Sequence, residues 1–411
     1  MSGSRVRAVT EKLQNFPVVV LIVDIAAVHT AFSDPAILFD VMILSGTVIQ
    51  VEKRAVAEKT VHTLIARHIM AGVIPAFPVL KIFKRIHIFR LFRLSTSSDL
   101  WYNHSSNTII FTEEKSMAFV LTCSSTVDLS EERLSERNIK WASFHFQIDG
   151  QDYLDNYGRS MSLEEFYRRE REGATPTTSQ VNTEEYVELW KPLMEEGNDI
   201  LHISLSSGIS GTYNSANIAA DDMRELFPER RIYVMDSLCA SAGDGLFVEE
   251  LADKRDEGMG FDELIEYGES IKLNVNHWFF ASDLTSLIRG GRLSPAVGKV
   301  AGLLNICPIF KVNSEGKLVS ASKVRTKKKV YQEIVRVMSQ HAENGTDYAG
   351  RCYISYSDCP DDANEVKKRI EETFPKLRDG GVELFRIGTT IGAHTGVGTV
   401  ALFFMGDERT E

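Results

Sequence analysis

Three times between residues 118 and 245 a short apolar run breaks into a serine-containing polar loop and then into helical spacing, and this repeated order constrains the fold more than any other feature. The first run, residues 118–122, passes into Cys123-Ser124-Ser125-Thr126, with the helical pattern starting after Asp128 and Ser130. The second, residues 199–205 (DILHISL), ends in Ser206-Ser207-Gly208, and the third, residues 231–235, ends in Asp236-Ser237. Strands that alternate with helices predict a parallel sheet covered on both faces. Ligands in such sheets lie beyond the carboxyl ends of the strands, where these loops fall.

After about residue 276 the pattern changes. Residues 307–312 and 317–324 flank Asn313-Ser314-Glu315-Gly316, a hairpin signal, and strands at 351–355, 382–387 and 399–405 then alternate with helices. The expectation is an α/β protein of two domains, residues 117–276 with a parallel sheet and 277–411 with a mixed sheet.

The first 116 residues differ in kind. They hold 13 Lys/Arg against 9 Asp/Glu, whereas the remaining residues hold 33 against 48, so a basic segment precedes an acidic body. An acidic body repels phosphate backbones and anionic headgroups at long range, which argues against nucleic acid as a partner and leaves membrane contact at most transient. The apolar run 16–32 is interrupted by Asp24 and His29, too early for a bilayer span. It also lacks a small-residue cleavage site, so secretion is not expected. Residues 81–94 (KIFKRIHIFRLFRL) have the mixture of a membrane-surface helix. Against that, residues 1–116 contain only Gly3, Gly46 and Gly72 of the 28 glycines and lack regular turn and cap signals. The reading adopted is an atypical extension, with native translation beginning at Met117 and Glu113-Glu114-Lys115 reflecting a purine-rich ribosome-binding stretch. The five cysteines (Cys123, Cys239, Cys307, Cys352, Cys359) are odd in number and form no CxxC pair, which reads as reduced thiols in a cytoplasmic protein without a metal site.

Four stretches could carry chemistry. Residues 175–180 (TPTTSQ) place hydroxyls ahead of an amphipathic helix from about Thr183 to Glu196, where one of them would serve as an N-cap or as a ligand donor. Residues 206–216 (SSGISGTYNSA) follow a buried strand. There Gly208 and Gly211 permit close backbone approach, and Ser210-Gly211-Thr212 opens a helix, a ready site for a carboxylate or phosphate. A serine nucleophile elbow needs glycine at −2 and +2 of the serine, but Ser210 has Gly208 at −2 and Gly211 at +1. Residues 283–294 (DLTSLIRGGRLS) present Arg289 and Arg292 around two glycines, suited to an oxyanion contact or to a plain helix C-cap with solvated arginines. Residues 388–398 (GTTIGAHTGVG) read as a glycine-rich loop exposing His394 among hydroxyls.

Taken in this order and spacing, T-S-Q, S-S-G-x-S-G-T, L-x-R-G-G-R and G-x-H-T-G-x-G resemble the DegV family across residues 117–407. The resemblance implies a two-domain α/β protein with its ligand between the domains. It implies a carrier rather than an enzyme, binding one long-chain fatty acid such as palmitate, with no cofactor, and passing it to a separate fatty acid kinase subunit. Carried over residue by residue, Thr178 and Ser210 would hydrogen-bond the carboxylate, with His394 and Arg289 close to its head and Ser179, Ser207 and Thr395 around them. The first loop departs from the family's T-D-S-T-x-D-L, since Ser124 replaces an acidic residue. A buried acyl tail at about 0.8 kcal/mol per methylene yields on the order of 10 kcal/mol gross, enough to retain one lipid. The alternative from another class is an acyl-ester or thioester hydrolase using Ser210 and His394, for which no orienting acid is evident.

Overall fold

The structure, a computed structural model, describes residues 119–295 and 306–411 together with short strands ahead of them. The chain divides into two compact units, Met1–Met117 and Ala118–Glu411. In the first unit the described strands include Ser98–Asn103 and Thr108–Glu114, paired antiparallel. Residues 81–94 and most of the apolar run 16–32 lie outside the described residues. No helix among the described residues is long and apolar enough to cross a membrane.

The second unit contains the expected parallel sheet. Its strands run in the order Ile232–Asp236, Asp199–Ser204, Phe119–Ser124, Lys140–Ala142, all parallel. Asp199–Ser204 is buried at every position, as a strand covered on both faces must be. From Phe119–Ser124 the chain goes first to one neighbour and later to the other. The switch point therefore lies between Phe119–Ser124 and Asp199–Ser204, and the loop beginning at Ser206 opens there.

The mixed sheet has the order Leu318–Arg325, Ile306–Val312, Val275–Ala281, Thr399–Met405, Cys352–Tyr356, Val382–Arg386, with only the last pair parallel. The predicted hairpin closes with Val312 opposite Leu318. Asn313 holds the turn by accepting the Glu315 and Lys317 amides, and Gly316 takes the positive φ of 70°.

Between the two sheets runs the helix Ala242–Asp256, whose buried residues include Leu246, Phe247, Val248 and Leu251. Residues 242–249 of this helix are buried on every side, two acids, Asp244 and Glu249, among them, which places its first two turns inside the core. One hydrophobic cluster joins Leu121 and Leu201 of the parallel sheet, Phe247 of this helix, and Phe279 and Phe403 of the mixed sheet. Arg133 ties the layers at the rim, donating to Glu249 of the central helix and to Glu383 and Tyr353 of the mixed sheet.

Two local expectations are corrected. Residues 175–180 do not cap the following helix; Thr177–Ser179 is a strand in a three-stranded antiparallel sheet with His145–Ile148 and Gln151–Leu154. The helix Thr183–Glu195 is capped by Asn182, in a reciprocal capping box with Glu185. The glycine-rich stretch after Gly388 is not a loop throughout, because Thr389–Thr395 forms a helix. Its glycine serves packing: a Cβ at Gly392 would stand 2.7 Å from the Tyr167 hydroxyl.

Candidate functional site

A cavity of about 370 Å³ lies between the loops of the parallel sheet and one face of the mixed sheet, within the usual range of small-molecule sites. The mixed sheet supplies its apolar floor through Phe279, Ala401 and Phe403, which share a face because Phe279 pairs with Ala401 two residues from Phe403. Leu205, Val312 and Leu318 extend the apolar wall.

Polar residues come from three separate elements. Thr178 stands on the strand Thr177–Ser179, and its hydroxyl lies 2.8 Å from Nε2 of His394, on the last turn of the short helix. Thr395 follows on the same helix, its hydroxyl donating to Ile391 O at 3.1 Å. Ser210 precedes the helix Thr212–Leu226 and accepts the Thr212 amide at 3.2 Å, so its own hydroxyl proton remains to be donated. Ser179 lies at the exposed edge of the lining.

His394 is neutral at ordinary pH. Burial pushes its pKa down to about 4, and the positive charges of Arg292 and Arg289 add to the effect. A neutral imidazole carries one N–H. If Thr178 donates to Nε2, the proton sits on Nδ1, which is buried beside Gly290 without a hydrogen-bond partner. In the other tautomer Nε2 donates and the Thr178 hydroxyl proton is freed. In that tautomer the Thr178 hydroxyl is the donor left for an incoming oxyanion.

The structure brings Thr178, Ser179, Ser210, His394 and Thr395 to the cavity, and places Arg289 and Ser207 outside its lining. Arg289 ends the helix Thr285–Arg289 on the exposed side, with its guanidinium 3.3 Å from the Ser286 hydroxyl. Ser207 is exposed, its amide bound to Asp236. Arg292 turns inward instead. Its guanidinium donates to Ile209 O at 3.0 Å and Gly290 O at 2.6 Å, joining the Ser210 loop to the turn beside His394.

Sequence reading did not single out Gln180, Thr390 or Thr399, which also line the cavity. Gln180 was in plain view in the T-S-Q motif; Thr390 and Thr399 carried no signal apart from the glycines around them. The Ser124 hydroxyl is buried against Thr126 at 2.7 Å, away from the cavity lining. No group of three or more metal-ligating side chains occurs among the described residues. Cys352 and Cys359 face different partners, Met338 Sδ and Thr399 O.

Comparison with known proteins covers the same span. The model of the DegV family, described as uncharacterised proteins, matches residues 119–407. A DegV domain-containing protein of Clostridium perfringens is 33% identical over 291 residues, spanning 71% of this chain and 98% of the relative. One from Lactococcus lactis is 33% identical over 295 residues, spanning 72% and 100%. Among solved structures, a fatty-acid-binding DegV family protein from Thermus thermophilus is 25% identical with a TM-score of 0.63, covering 71% of this chain and all of the other. The Streptococcus pneumoniae fatty acid kinase (Fak) B3 protein, loaded with linoleic acid, shares the fold at 22% identity and a TM-score of 0.61, covering 71% and 100%. From the matched span and the shared architecture, this chain belongs to the DegV family.

Proposed function

We propose that the protein binds one long-chain fatty acid by its carboxylate and presents it to a separate kinase, which transfers a phosphoryl group from ATP to the carboxylate for use in lipid metabolism. The observation that carries this reading is one cavity that joins an apolar floor of Phe279, Ala401 and Phe403 to a cluster of donors, Thr178, Ser210 and His394. A fatty acid needs that combination: a dry wall for its tail, and hydrogen-bond donors for a single anionic head. The Thermus thermophilus relative, itself a fatty-acid-binding protein, supports the ligand class.

In this reading Thr178 and Ser210 hydrogen-bond the carboxylate, and His394 stands close to its head, its Nε2–H donated to the Thr178 hydroxyl so that the Thr178 proton is free for the ligand. Ser179 and Thr395 form the surround, and Ser207 supports the loop from outside the cavity lining. Arg292 contributes positive charge from the wall, while Arg289 waits at the exposed rim. The kinase step rests on the family resemblance of the four motifs, and the carrier itself performs no chemistry.

The hydrolase reading is disfavoured by the hydrogen bonds. His394 Nε2 pairs with Thr178, and Ser210 Oγ is engaged by the Thr212 amide, so Ser210 and His394 do not form a nucleophile–base pair.

The test is to strip the protein of lipid, titrate it with a long-chain fatty acid, and then add a fatty acid kinase and ATP. Saturation at one fatty acid per chain and acyl phosphate formation only with the kinase support the proposal. Hydrolysis of an acyl ester by the protein alone would replace it with the hydrolase.

A further inference from the structure

The helix Thr389–Thr395 is gripped at both ends by the same small sheet. At its C-terminal end, Thr178 on the strand Thr177–Ser179 meets His394 Nε2 at 2.8 Å. That strand pairs with His145–Ile148, which pairs with Gln151–Leu154. The residue after Leu154 is Asp155, only 5% exposed, and its carboxylate accepts the Thr390 amide at 3.3 Å, at the N-terminal end of the helix. Asp155 is itself anchored by its own amide, which donates to Phe144 O at 2.8 Å.

A second carboxylate converges on the same end. Asp128, 7% exposed, accepts the Gly388 amide at 2.9 Å through one oxygen and the Ser241 hydroxyl through the other. Tyr167 adds a bond to Ile387 O at 2.8 Å just before the helix. A Cβ at residue 388 would stand 2.8 Å from Asp128 Oδ1 and 3.5 Å from Asp155 Oδ1, so both carboxylates close on one glycine. Seven residues, three of them threonine and one glycine, make a helix of little intrinsic stability. Its orientation therefore depends on what holds its ends. The free amides of the first turn are best satisfied by carboxylates.

We infer that Asp155 and Asp128 are positioning residues for the fatty-acid head group, fixing the direction of His394 by clamping the opposite end of the helix that carries it. The inference rests on the proposed fatty-acid site. From Thr390 to His394 the helix rises about 6 Å, so a small tilt at the amide end moves the imidazole out of line with Thr178. Asp155 is the sharper probe of the two, because its loss leaves the Asp128 contacts with Gly388 and Ser241 in place.

The test compares Asp155→Ala with Asp155→Asn, whose amide oxygen still accepts the Thr390 N–H, each with and without His394→Ala, in the full chain. The clamp predicts that Asp155→Ala weakens fatty-acid affinity about five- to tenfold. It predicts that Asp155→Asn restores most of the loss, and that Asp155→Ala has no further effect once His394 is alanine. An equal loss in both backgrounds would overturn the inference, because Asp155 would then act only on general stability. Unchanged affinity in Asp155→Ala would overturn it as well. A readout that needs no fatty acid separates this claim from the function beneath it: the NMR titration of His394 in lipid-free protein. The clamp predicts that Asp155→Ala moves the titration up toward the ordinary histidine value as the ring leaves its buried place beside Gly290, while Asp155→Asn leaves it low. Should wild type bind no fatty acid, that shift would still establish the clamp, and an unmoved titration would refute it.

Discussion

A histidine buried as a neutral ring ties the stability of the fold to pH. His394 is pushed down to about 4, whereas in the unfolded chain it titrates near 6.5. Between those values the unfolded chain binds the proton and the folded chain does not, so this contribution is whole above about pH 6.5 and is lost as pH falls toward 4. We predict that His394→Gln flattens the fall in stability across that window by on the order of 2 kcal/mol relative to wild type, read from denaturant unfolding at several pH values. His202, also buried and pushed down to about 3, remains in both proteins and cancels in the comparison. The two arginines divide differently. Arg292 lines the cavity, so Arg292→Ala should weaken fatty-acid binding by roughly 1.5–3 kcal/mol. Arg289 stands at the exposed rim, and Arg289→Ala should cost more in acyl phosphate formation with a kinase than in affinity. Equal losses for Arg289→Ala would mean that it merely anchors the lipid. The sequence displayed both arginines around Gly290 and Gly291 but could not say which turns in. That depends on the positive φ of 74° at Gly291, which sends Arg292 back over Ile209.

Among the elements, those with a strong local signal were legible and those made by long-range pairing were not. The parallel strands and the hairpin around Asn313 announce themselves through apolar runs and turn residues, and they stand within a residue or two of their expected ends. Thr177–Ser179 is three residues long and exists only because Thr178 finds Phe146 as a partner, 32 positions earlier. The helix Thr389–Thr395 is hidden by the glycines around it, and what overrides their helix penalty, Asp128 and Asp155, lies more than 230 positions away. Glycine at 290 has a different role. A Cβ there would collide with His394 Nδ1. We predict that Gly290→Ala leaves the fold intact yet displaces His394, weakening fatty-acid binding about as much as His394→Ala does, as measured by titration. An unaffected Gly290→Ala would show that His394 can move without loss of binding.

At the scale of the molecule, the two sheets share the helix Ala242–Asp256, and its first turn carries a cost. Asp244 is fully buried, neither carboxylate oxygen has a hydrogen-bond partner, and the nearby Ser237 hydroxyl donates to Ser204 O instead. Burial pushes its pKa up to about 8, with Asp236 adding a like charge. The folded state thus keeps a proton that the unfolded state gives up above the usual carboxylate value. Stability is full below that value and is lost as pH rises to about 8. Asp244→Asn should raise stability at pH 8 by on the order of 2 kcal/mol and flatten the decline from pH 4 upward, read by thermal unfolding across that range. The family match begins at residue 119 and the curated relatives are spanned almost end to end, so residues 117–411 expressed alone should fold and bind fatty acid as the whole chain does. Loss of folding on that truncation would assign residues 1–116 a structural part. The central claim, that this protein holds one fatty acid, meets its most direct test in mass spectrometry of protein purified without added lipid, first under native conditions and then after extraction. The account predicts one long-chain fatty acid per chain, released when Thr178 and Ser210 are both alanine. A protein that carries none, and takes up none when fatty acid is supplied, would contradict it.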